Sequence, residues 1–389
     1  MLRAEPVGGS ISTPGTRALL GVFGLGALLI AWRLVAGLGS ATALNDGYPL
    51  GLWIAFDVVT GTALACGGYS IALLVYIFNN GRYHALVRPA LLTSALGYSL
   101  AGFGVFIDIG RWWSIWKVPV YFWRWNFNSA LLEVALCIMS YVVVLWIELS
   151  PAFFEKWQQD GPSFLRGFSR TALPIVEKLS VPVIALGVLL PTMHQSSLGT
   201  LMLLAGVRLH PLWNTPLLPL LFLISCVSMG FAVVVFESAL SASVFRREPE
   251  TAMLATLAGV MVPLQVVYVA VRLGDLAVRG RLGLLVQADT RSFMVLVEFA
   301  LALAPAAMLA SRASRRDLGQ LFRAALVLMF AGAVYRFDTY LVAFTPGANW
   351  SYFPSVSEMA ITIGLVAFEI FAYVAIVKMF PILSGARQR

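Results

Sequence analysis

The sequence predicts an all-α polytopic membrane protein, and composition is the first reason. Hydrophobic residues make up 59% of the 389 residues and charged residues only 12%, with a mean hydropathy of +0.84. A soluble fold of this length needs far more polar surface. Apolar runs of about 20 residues recur, as a spanning helix requires, whereas the alternating pattern of a transmembrane barrel is absent. We therefore predict a bundle of about ten transmembrane helices.

Charged and Pro/Gly-rich breaks delimit the predicted spans. Each apolar run between two breaks is long enough to cross the hydrocarbon layer. The spans are predicted at 18–36, 51–78, 89–110, 129–149, 174–191, 217–245, 252–274, 292–311, 320–342 and 358–380. These boundaries give an N-terminal segment at 1–17, a transmembrane domain at 18–383 and a tail at 384–389.

The distribution of positive charge predicts the orientation. Most of the 27 Lys and Arg residues lie in the segments that share a side with the N-terminus. Segments rich in Lys and Arg usually stay in the cytoplasm, so both termini are expected there. The formal net charge of +8 follows from this bias and does not indicate nucleic-acid binding. Residues 1–17 show no signal-peptide cleavage pattern, and we expect the first span to be retained.

Ionisable residues inside apolar spans are costly, and they therefore indicate function. Their convergence from four successive spans, at similar depth near the outer surface, predicts a pocket for a polar, proton-accepting head group. The i,i+3 spacing of Asp108 and Arg111 predicts an ion pair on one helical face, which could equally be a structural anchor. His194 alone could be an interfacial histidine. The five residues of this cluster are Asp57, Asp108, Arg111, Glu133 and His194.

The second half of the protein weakly echoes this arrangement. Arg272 and Asp275 show the i,i+3 spacing again in reverse order, and Glu298 lies in span eight much as Glu133 lies in span four. Two parallel four-helix bundles, spans two to five and six to nine, would explain these intervals. Helices of similar length also produce them by chance.

Three more carboxyl groups lie deeper in the predicted spans: Glu148, Glu237 and Glu369. Glu133 and Glu148 share one predicted helix and are about 22 Å apart along its axis. Carboxyl groups at both ends of a span suit a proton relay. Glu148 could equally be an interfacial cap on the inner surface.

Two predicted outer segments are unusually aromatic: RWWSIWKVPVYFWRWNFNS at 111–129 and PGANWSYFPSVSE at 346–358. Such residues often form an interfacial belt, but a row this dense also suits the docking of another subunit. Trp112, Trp113 and Trp116 are the candidate docking residues.

The cysteines and histidines predict no metal or redox centre. The three cysteines lie in different spans without ligand spacing, so neither an iron–sulfur cluster nor a disulfide framework is expected. His84 is assigned to the inner side, and His194 and His210 to one outer segment. A transmembrane haem needs imidazoles that face each other from different helices. We expect no haem in this protein.

Several segments resemble the polysulfide-reductase-type (NrfD-like) integral membrane subunits, and among them the ten-span subunits of Hyb-type, hydrogenase-2-like NiFe hydrogenases. The resemblance covers most of the sequence. It is carried by LNDGYPLGLWIAFDVVTGTALACGGY at 44–69, NNGRYHALVRPALLTSALGYSLAG at 79–102, LLPTMHQSSLGTLM at 189–202, HPLW at 210–213 and LVAFTPGANWSYFPSVSE at 341–358.

The resemblance implies a haem-free, quinone-reactive membrane anchor in a bacterial inner membrane. A periplasmic ferredoxin-like iron–sulfur subunit would pass electrons from the hydrogenase large and small subunits to menaquinone or ubiquinone near the outer face. It also implies that Tyr98 and Glu133 belong to the quinone and proton machinery. Together with the pocket predicted above, the expected quinone-binding residues are Asp57, Tyr98, Asp108, Arg111 and His194.

Quinone reduction requires two protons from titratable groups beside the head group. Glu133, Glu148 and Asp57 are the expected proton-transfer residues, and Arg272, Asp275 and Glu298 form a candidate second polar site. Three other classes stay open: a secondary transporter, which usually has discontinuous helices at the midplane; a haem-bearing cytochrome; and the membrane subunit of another NrfD-type oxidoreductase, such as a polysulfide reductase.

Overall fold

The computed structural model describes residues 4–384 and confirms the predicted all-α membrane fold. Within that range ten helices are long and apolar enough to cross a membrane, and an isolated β-bridge joins Leu209 to Phe344. We label the spans α1 to α10 in sequence order: Pro14–Ala36, Trp53–Ile77, Gly81–Asp108, Ala130–Asp160, Ser180–Leu203, Leu218–Phe245, Thr251–Val278, Thr290–Met308, Leu318–Val342 and Val356–Met379.

We define the inner end of the bundle as the end that carries both termini. The predicted tail at 384–389 lies outside the described residues except for its first residue, and so do residues 1–3. The placement of the inner end in the cytoplasm, and of the protein in an inner membrane, stays a prediction.

Local sequence signals start several helices. Thr13 and Thr16 form a capping box ahead of α1, and Pro14 occupies the first turn. Backbone N–H groups in the first turn have no partner within the helix, so proline costs no hydrogen bond there. Asp289 caps α8 by accepting bonds from the amide and hydroxyl of Ser292 at 2.7 and 2.5 Å. These bonds favour the charged carboxylate and lower the pKa of Asp289.

The inner connection between α4 and α5 differs from the prediction. Span four continues to Asp160 instead of ending at 149, and span five begins at Ser180 instead of 174. A separate helix, Ser163–Lys178, lies between them. Its exposed Phe164 and Phe168 alternate with basic residues, which is typical of a helix that lies in the membrane interface. The predicted boundary was wrong because this apolar face was read as part of the span.

Span α2 is irregular along its length. Trp53–Thr60 forms wide π-helical turns, a non-helical turn at 65–66 interrupts the span, and Leu73–Ile77 is again π-helical. Thr60 and Thr62 donate their hydroxyls to carbonyls earlier in the span, at 2.8 and 2.6 Å. These bonds satisfy backbone groups that a regular helix would pair internally.

Span α6 is the central helix and packs against α2, α5, α7 and α9. At its contact with α2, a Cβ atom on Gly230 would lie 2.2 Å from Ser70 Oγ and 2.5 Å from the Cys66 carbonyl oxygen. Ser70 Oγ also donates to the carbonyl of Val227 at 3.0 Å. Glycine has no side chain, and its presence at this contact lets the two helices approach more closely than larger residues would allow.

The remaining spans form two groups. Consecutive spans pack on one another within α2–α5 and within α6–α9. Spans α1 and α10 pair beside these groups, where a Cβ atom on Gly26 would lie 3.0 Å from Gly364 Cα. These contacts do not show whether the two groups have the same arrangement, so the predicted parallel repeat stays a prediction.

The α2–α6 contact gives a stability prediction. Gly230→Ala should destabilise the protein by about 1–3 kcal/mol, because the added methyl group overpacks a site without room. Gly259→Ala is the matched control, since a Cβ atom there meets nothing within 4 Å. Thermal unfolding of the detergent-solubilised protein measures both. Equal midpoints for the two variants would contradict the close approach.

Candidate functional site

An apolar cleft of about 470 Å³ lies between α2, α3, α6, α9 and α10. It runs from Asp57 near the outer end to Phe245 at the inner end of α6. Leu240 and Val244 of α6 and Ile370 of α10 line the cleft and are also exposed on the surface of the bundle. The cleft therefore opens sideways, toward lipid, between α6 and α10.

Two carboxyl groups mark the ends of this cleft. Near the outer end, Asp57 Oδ2 accepts a bond from Thr362 Oγ1 at 3.0 Å. Toward the inner end, Glu237 accepts bonds from Thr93 Oγ1 at 2.7 Å and from the Tyr373 hydroxyl at 2.6 Å. Each carboxyl group is thus held by side chains from neighbouring spans, as buried polar groups require.

A third carboxyl group, Glu369, lines the cleft between these two. A Cβ atom on Gly97 would lie 3.3 Å from Glu369 Oε1 and 2.6 Å from Ala65 Cβ, so Gly97 leaves the space that the carboxyl group occupies. Within residues 4–384 no side chain or backbone group hydrogen-bonds Glu369. Its oxygens are therefore available to a ligand or to water. The sequence placed Glu369 and Glu237 at membrane depth, but it did not predict their hydrogen-bond partners or that they would line a cleft.

The predicted ion pair between Asp108 and Arg111 does not form. Span α3 ends at Asp108, and Ile109 is extended, so Arg111 leaves the helical face and is exposed. Asp108 lies instead in the electrostatic range of Arg33 and Glu358 from α1 and α10. Arg33 is buried and donates to the carbonyl of Ile109 at 2.6 Å. The i,i+3 rule failed because the helix stops before its second member.

Tyr98 and His194 come together, but away from the cleft. His194 is fully buried because α5 begins later than predicted, and its expected position at the outer interface was wrong. Its Nε2 lies 3.1 Å from Thr62 Oγ1, and its ring lies 5.7 Å from the Tyr98 ring. The Tyr98 hydroxyl lies 3.4 Å from Cys66 Sγ. Neither residue lines the cleft.

The two expected proton-transfer residues on α4 lie in different surroundings. Glu133 is half-buried in the first turn of α4 and does not line the cleft. Glu148 lies within α4, not at its inner end, since a Cβ atom on Gly187 of α5 would be 3.0 Å from its Oε1. Glu148 does not cap a helix end, because the helix continues for three further turns to Asp160, and its position relative to the membrane interface stays a prediction.

Glu148 lines a second cavity, an inner vestibule of about 690 Å³. Arg88 and Glu155 form an ion pair in its wall at 2.5 Å, and Glu250 also lines it. Burial raises the pKa of Glu250, and the Arg247 charge opposes that shift. The vestibule thus brings several titratable groups to the inner end of the bundle.

In the second half, the structure joins two of the three predicted residues. Arg272 Nη1 and Glu298 Oε2 form a buried ion pair at 2.7 Å, and Trp213 Nε1 donates to Glu298 Oε1 at 2.8 Å. Asp275 instead pairs with Arg279, one turn further along. Arg272 and Asp275 therefore share the i,i+3 spacing but bind different partners, and the function of this candidate polar site stays a prediction.

The three candidate docking tryptophans differ in exposure. Trp113 and Trp116 are 58% and 50% exposed. Trp112 is half-buried, and its Nε1 donates to the Leu34 carbonyl at 3.2 Å. Two of the three side chains are thus free for a partner, while the third holds the outer segment against α1.

The histidines lie at three different depths. His84 is at the inner start of α3 and His194 is inside α5. His210 lies in the outer loop before α6. No two imidazoles are therefore placed on opposite sides of a shared space for haem. Among residues 4–384 no group of His, Cys, Asp or Glu has the arrangement of a metal site.

The protein is a ten-span membrane protein with an apolar cleft that carboxyl groups line. Comparison of its sequence with protein families shows which class of membrane subunit this is. The chain belongs to the family described as "Polysulphide reductase, NrfD", which matches residues 42–337. It is therefore an NrfD-type, multi-pass membrane subunit of a hydrogenase-like or other reductase complex.

Named relatives support this assignment. The protein is 40% identical, over 99% of its length and 96% of the relative's, to the "Probable Ni/Fe-hydrogenase 2 b-type cytochrome subunit" of Escherichia coli K12. Over 46% of its length and 40% of the relative's, it is 35% identical to the "Menaquinone reductase, integral membrane subunit" of Nitratidesulfovibrio vulgaris. A polysulfide reductase subunit of Wolinella succinogenes is 32% identical over 38% of this protein and 42% of its own length.

The word cytochrome in the first relative's name makes haem content a direct test. We predict that reduced-minus-oxidised absorption spectra of the purified protein lack a b-type band, because its three histidines cannot ligate one haem from two sides. Protein and haem should be quantified on the same sample. One haem per protein molecule would contradict this prediction and favour a cytochrome.

Proposed function

We propose that this protein is the quinone-reactive subunit of a hydrogen:quinone oxidoreductase complex. The observation that carries the proposal is the lipid-facing cleft with Glu369, a carboxyl group without a hydrogen-bond partner among residues 4–384, on its wall. A long-chain quinone is an apolar molecule with two hydrogen-bonding oxygens, and this cleft offers apolar walls with a few polar groups. The relative named as a menaquinone reductase subunit supports the same substrate class.

The depth of Asp57 favours a head group at the outer end of the cleft. Asp57 lies about 6 Å inside the first residue of α2, and Phe56 beside it also lines the cleft. An isoprenoid tail would then extend along Leu240 and Val244 toward lipid. In this pose Asp57 and Thr362 bind one quinone oxygen, and Glu369 lies further along the cleft.

Carboxyl groups of the cleft supply protons in this proposal. Quinone reduction consumes two electrons and two protons. Glu237 also lines a small cavity of about 40 Å³ that reaches Glu250 at the inner end, and this volume is large enough for a water molecule. Glu250, Glu237 and Glu369 thus form an inner route, and Asp57 holds the last proton. The predicted route through Glu148 and Glu133 stays a second proposal.

Electrons arrive from outside the protein in this proposal. A periplasmic ferredoxin-like iron–sulfur subunit binds the outer aromatic segment and receives electrons from the large and small subunits of a NiFe hydrogenase. The relative from Escherichia coli is named as a hydrogenase subunit. The outer end of the cleft lies at the same end of the bundle as Trp113 and Trp116, where this partner would bind.

The cleft proposal predicts the effect of three substitutions. Asp57→Asn and Glu369→Gln should each lower hydrogen-dependent quinone reduction by about 100-fold, since each removes a proton donor while keeping shape. Asp46→Asn, at an exposed outer loop position, is the matched control and should leave the rate unchanged. The assay uses the purified complex, with hydrogen oxidation by a soluble dye as the check on assembly.

Glu133→Gln separates the two proton routes. If the cleft supplies the protons, this variant should lose less activity than Glu369→Gln. Wild-type quinone reduction in intact Asp57→Asn and Glu369→Gln complexes would overturn the cleft as the site. A loss confined to Glu133→Gln would favour the route through α4.

Partner docking gives a separate prediction. Trp113→Ala combined with Trp116→Ala should release the iron–sulfur partner from the membrane, because large exposed aromatic side chains dominate interface energies. Trp32→Ala is the control, since Trp32 is similarly exposed but lies on α1 within the lipid-facing surface. Copurification with the tagged membrane subunit measures retention. Full retention of the partner would show that the segment is only an interfacial belt.

A transporter remains the alternative that one observation favours, namely the break in α2 at 65–66. Transporters often bind substrate at such interruptions. Of the two large cavities described above, however, one is a cleft open to lipid and the other a vestibule at the inner end. A lipid-soluble substrate fits the first better than a solute carried between two aqueous phases. Another NrfD-type reductase would use the same cleft with a different catalytic partner.

A further inference from the structure

Arg336 is a fully buried cation inside the membrane-spanning bundle. It lies on α9, about 27 Å from the inner end of that helix. All of its hydrogen-bond partners are neutral: Ser225 Oγ at 3.1 Å, the Phe222 carbonyl at 3.2 Å, Met229 Sδ at 3.2 Å, Gln195 Oε1 at 3.3 Å and the Gly332 carbonyl at 3.4 Å.

In the part of the protein that the structure describes, no carboxylate balances this charge. The ion pairs within residues 4–384 involve other residues, and Arg336 Nε lacks any partner there. The neighbour Arg272 shows the contrast, since it is equally buried but paired with Glu298. An unpaired guanidinium in a low-dielectric interior is costly, so its presence there indicates a role other than stability.

On its inner side, Arg336 ends a row of polar side chains. The row starts at Glu148 in the vestibule, which lies two turns from Tyr141 on α4 and within its electrostatic range. The Tyr141 and Tyr98 rings are 4.5 Å apart, and the Tyr98 hydroxyl contacts Cys66.

The same row continues to the guanidinium through α5. Cys66 Sγ donates to the Thr62 carbonyl at 3.1 Å, and Gln195 Nε2 donates to Thr62 Oγ1 at 3.0 Å. Gln195 Oε1 then accepts from Arg336. Hydroxyl, thiol and amide groups thus lie between the inner vestibule and the guanidinium, and hydrogen bonds link them from Tyr98 onward.

On its outer side, Arg336 adjoins the buried cluster of the second half. Tyr335 precedes it in sequence, and the Arg272 guanidinium lies 5.1 Å from the Tyr335 ring. Arg272 and Glu298 continue toward the outer loop, where Arg272 Nη2 donates to the Leu212 carbonyl. Polar groups therefore reach from one end of the bundle to the other, with Arg336 at the junction.

We infer that Arg336 is an electrostatic barrier that stops protons from crossing the membrane along this row. A proton that moved along the row as hydronium or as an imidazolium at His194 would approach a fixed positive charge in a medium of low dielectric constant. Fixed arginines exclude protons from other membrane pores by the same repulsion. The neutral partners leave the charge uncompensated, and the repulsion is therefore undiminished.

The test measures passive proton entry, so its outcome does not depend on the proposed quinone chemistry. The full-length protein is reconstituted into potassium-loaded vesicles containing a pH-sensitive dye, and valinomycin imposes the membrane potential. Wild type and Arg336→Lys, which keeps the charge, should be as tight as protein-free vesicles. Arg336→Met should admit protons about tenfold faster.

A second variant tests the charge without removing the arginine. Met229→Glu places a carboxylate beside the guanidinium and should also admit protons faster, whereas the matched Met229→Gln should stay tight. Size-exclusion chromatography before reconstitution identifies the folded variants to be compared. The proposal would be overturned if vesicles with folded Arg336→Met or folded Met229→Glu admitted protons no faster than wild type. Proton conduction by the wild-type protein itself would also overturn it.

Discussion

The close approach of α2 and α6 determines where the other spans can lie. Gly230 removes a side chain at the contact, and Ser70 bridges the two backbones. Since membrane helices gain little from the hydrophobic effect when they associate, packing of this kind and interhelical hydrogen bonds hold them together. Spans α3, α5 and α9 then pack around the pair. The cleft occupies the space left between this group and α10.

Buried carboxyl groups are held in two ways in this bundle. Between α7 and α8, Arg272 and Glu298 neutralise each other, and Trp213 and Tyr268 complete their hydrogen bonds. Along the cleft, carboxyl groups lie beside hydroxyls or face open volume, as Asp57 and Glu369 do. A satisfied ion pair is a costly place to change protonation, because the loss of either charge leaves the other unpaired. The difference separates a structural cluster from the carboxyl groups that are available for chemistry.

Span number and helical class could be predicted from apolar run lengths alone, because a bilayer demands such runs. The site could be predicted less well. Asp57 was expected in a pocket and lines one, but the i,i+3 rule paired Asp108 with Arg111 across a helix end, which Gly110 follows in the sequence. The depth of His194 depended on where α5 begins, and the amphipathic helix Ser163–Lys178 obscured that point. Glu369 needed tertiary information, since its neighbour Gly97 comes from a distant span.

The sideways opening between α6 and α10 has a kinetic consequence. A molecule that enters there has already partitioned into the bilayer, so its encounter rate depends on its surface density in the membrane and on lateral diffusion. Its concentration in the surrounding water matters only through that partition. Saturation should therefore follow the ratio of ligand to phospholipid, and dilution of the vesicles at constant ratio should leave the occupancy of the cleft unchanged. Bilayer viscosity and acyl-chain order then become controlling variables for this protein.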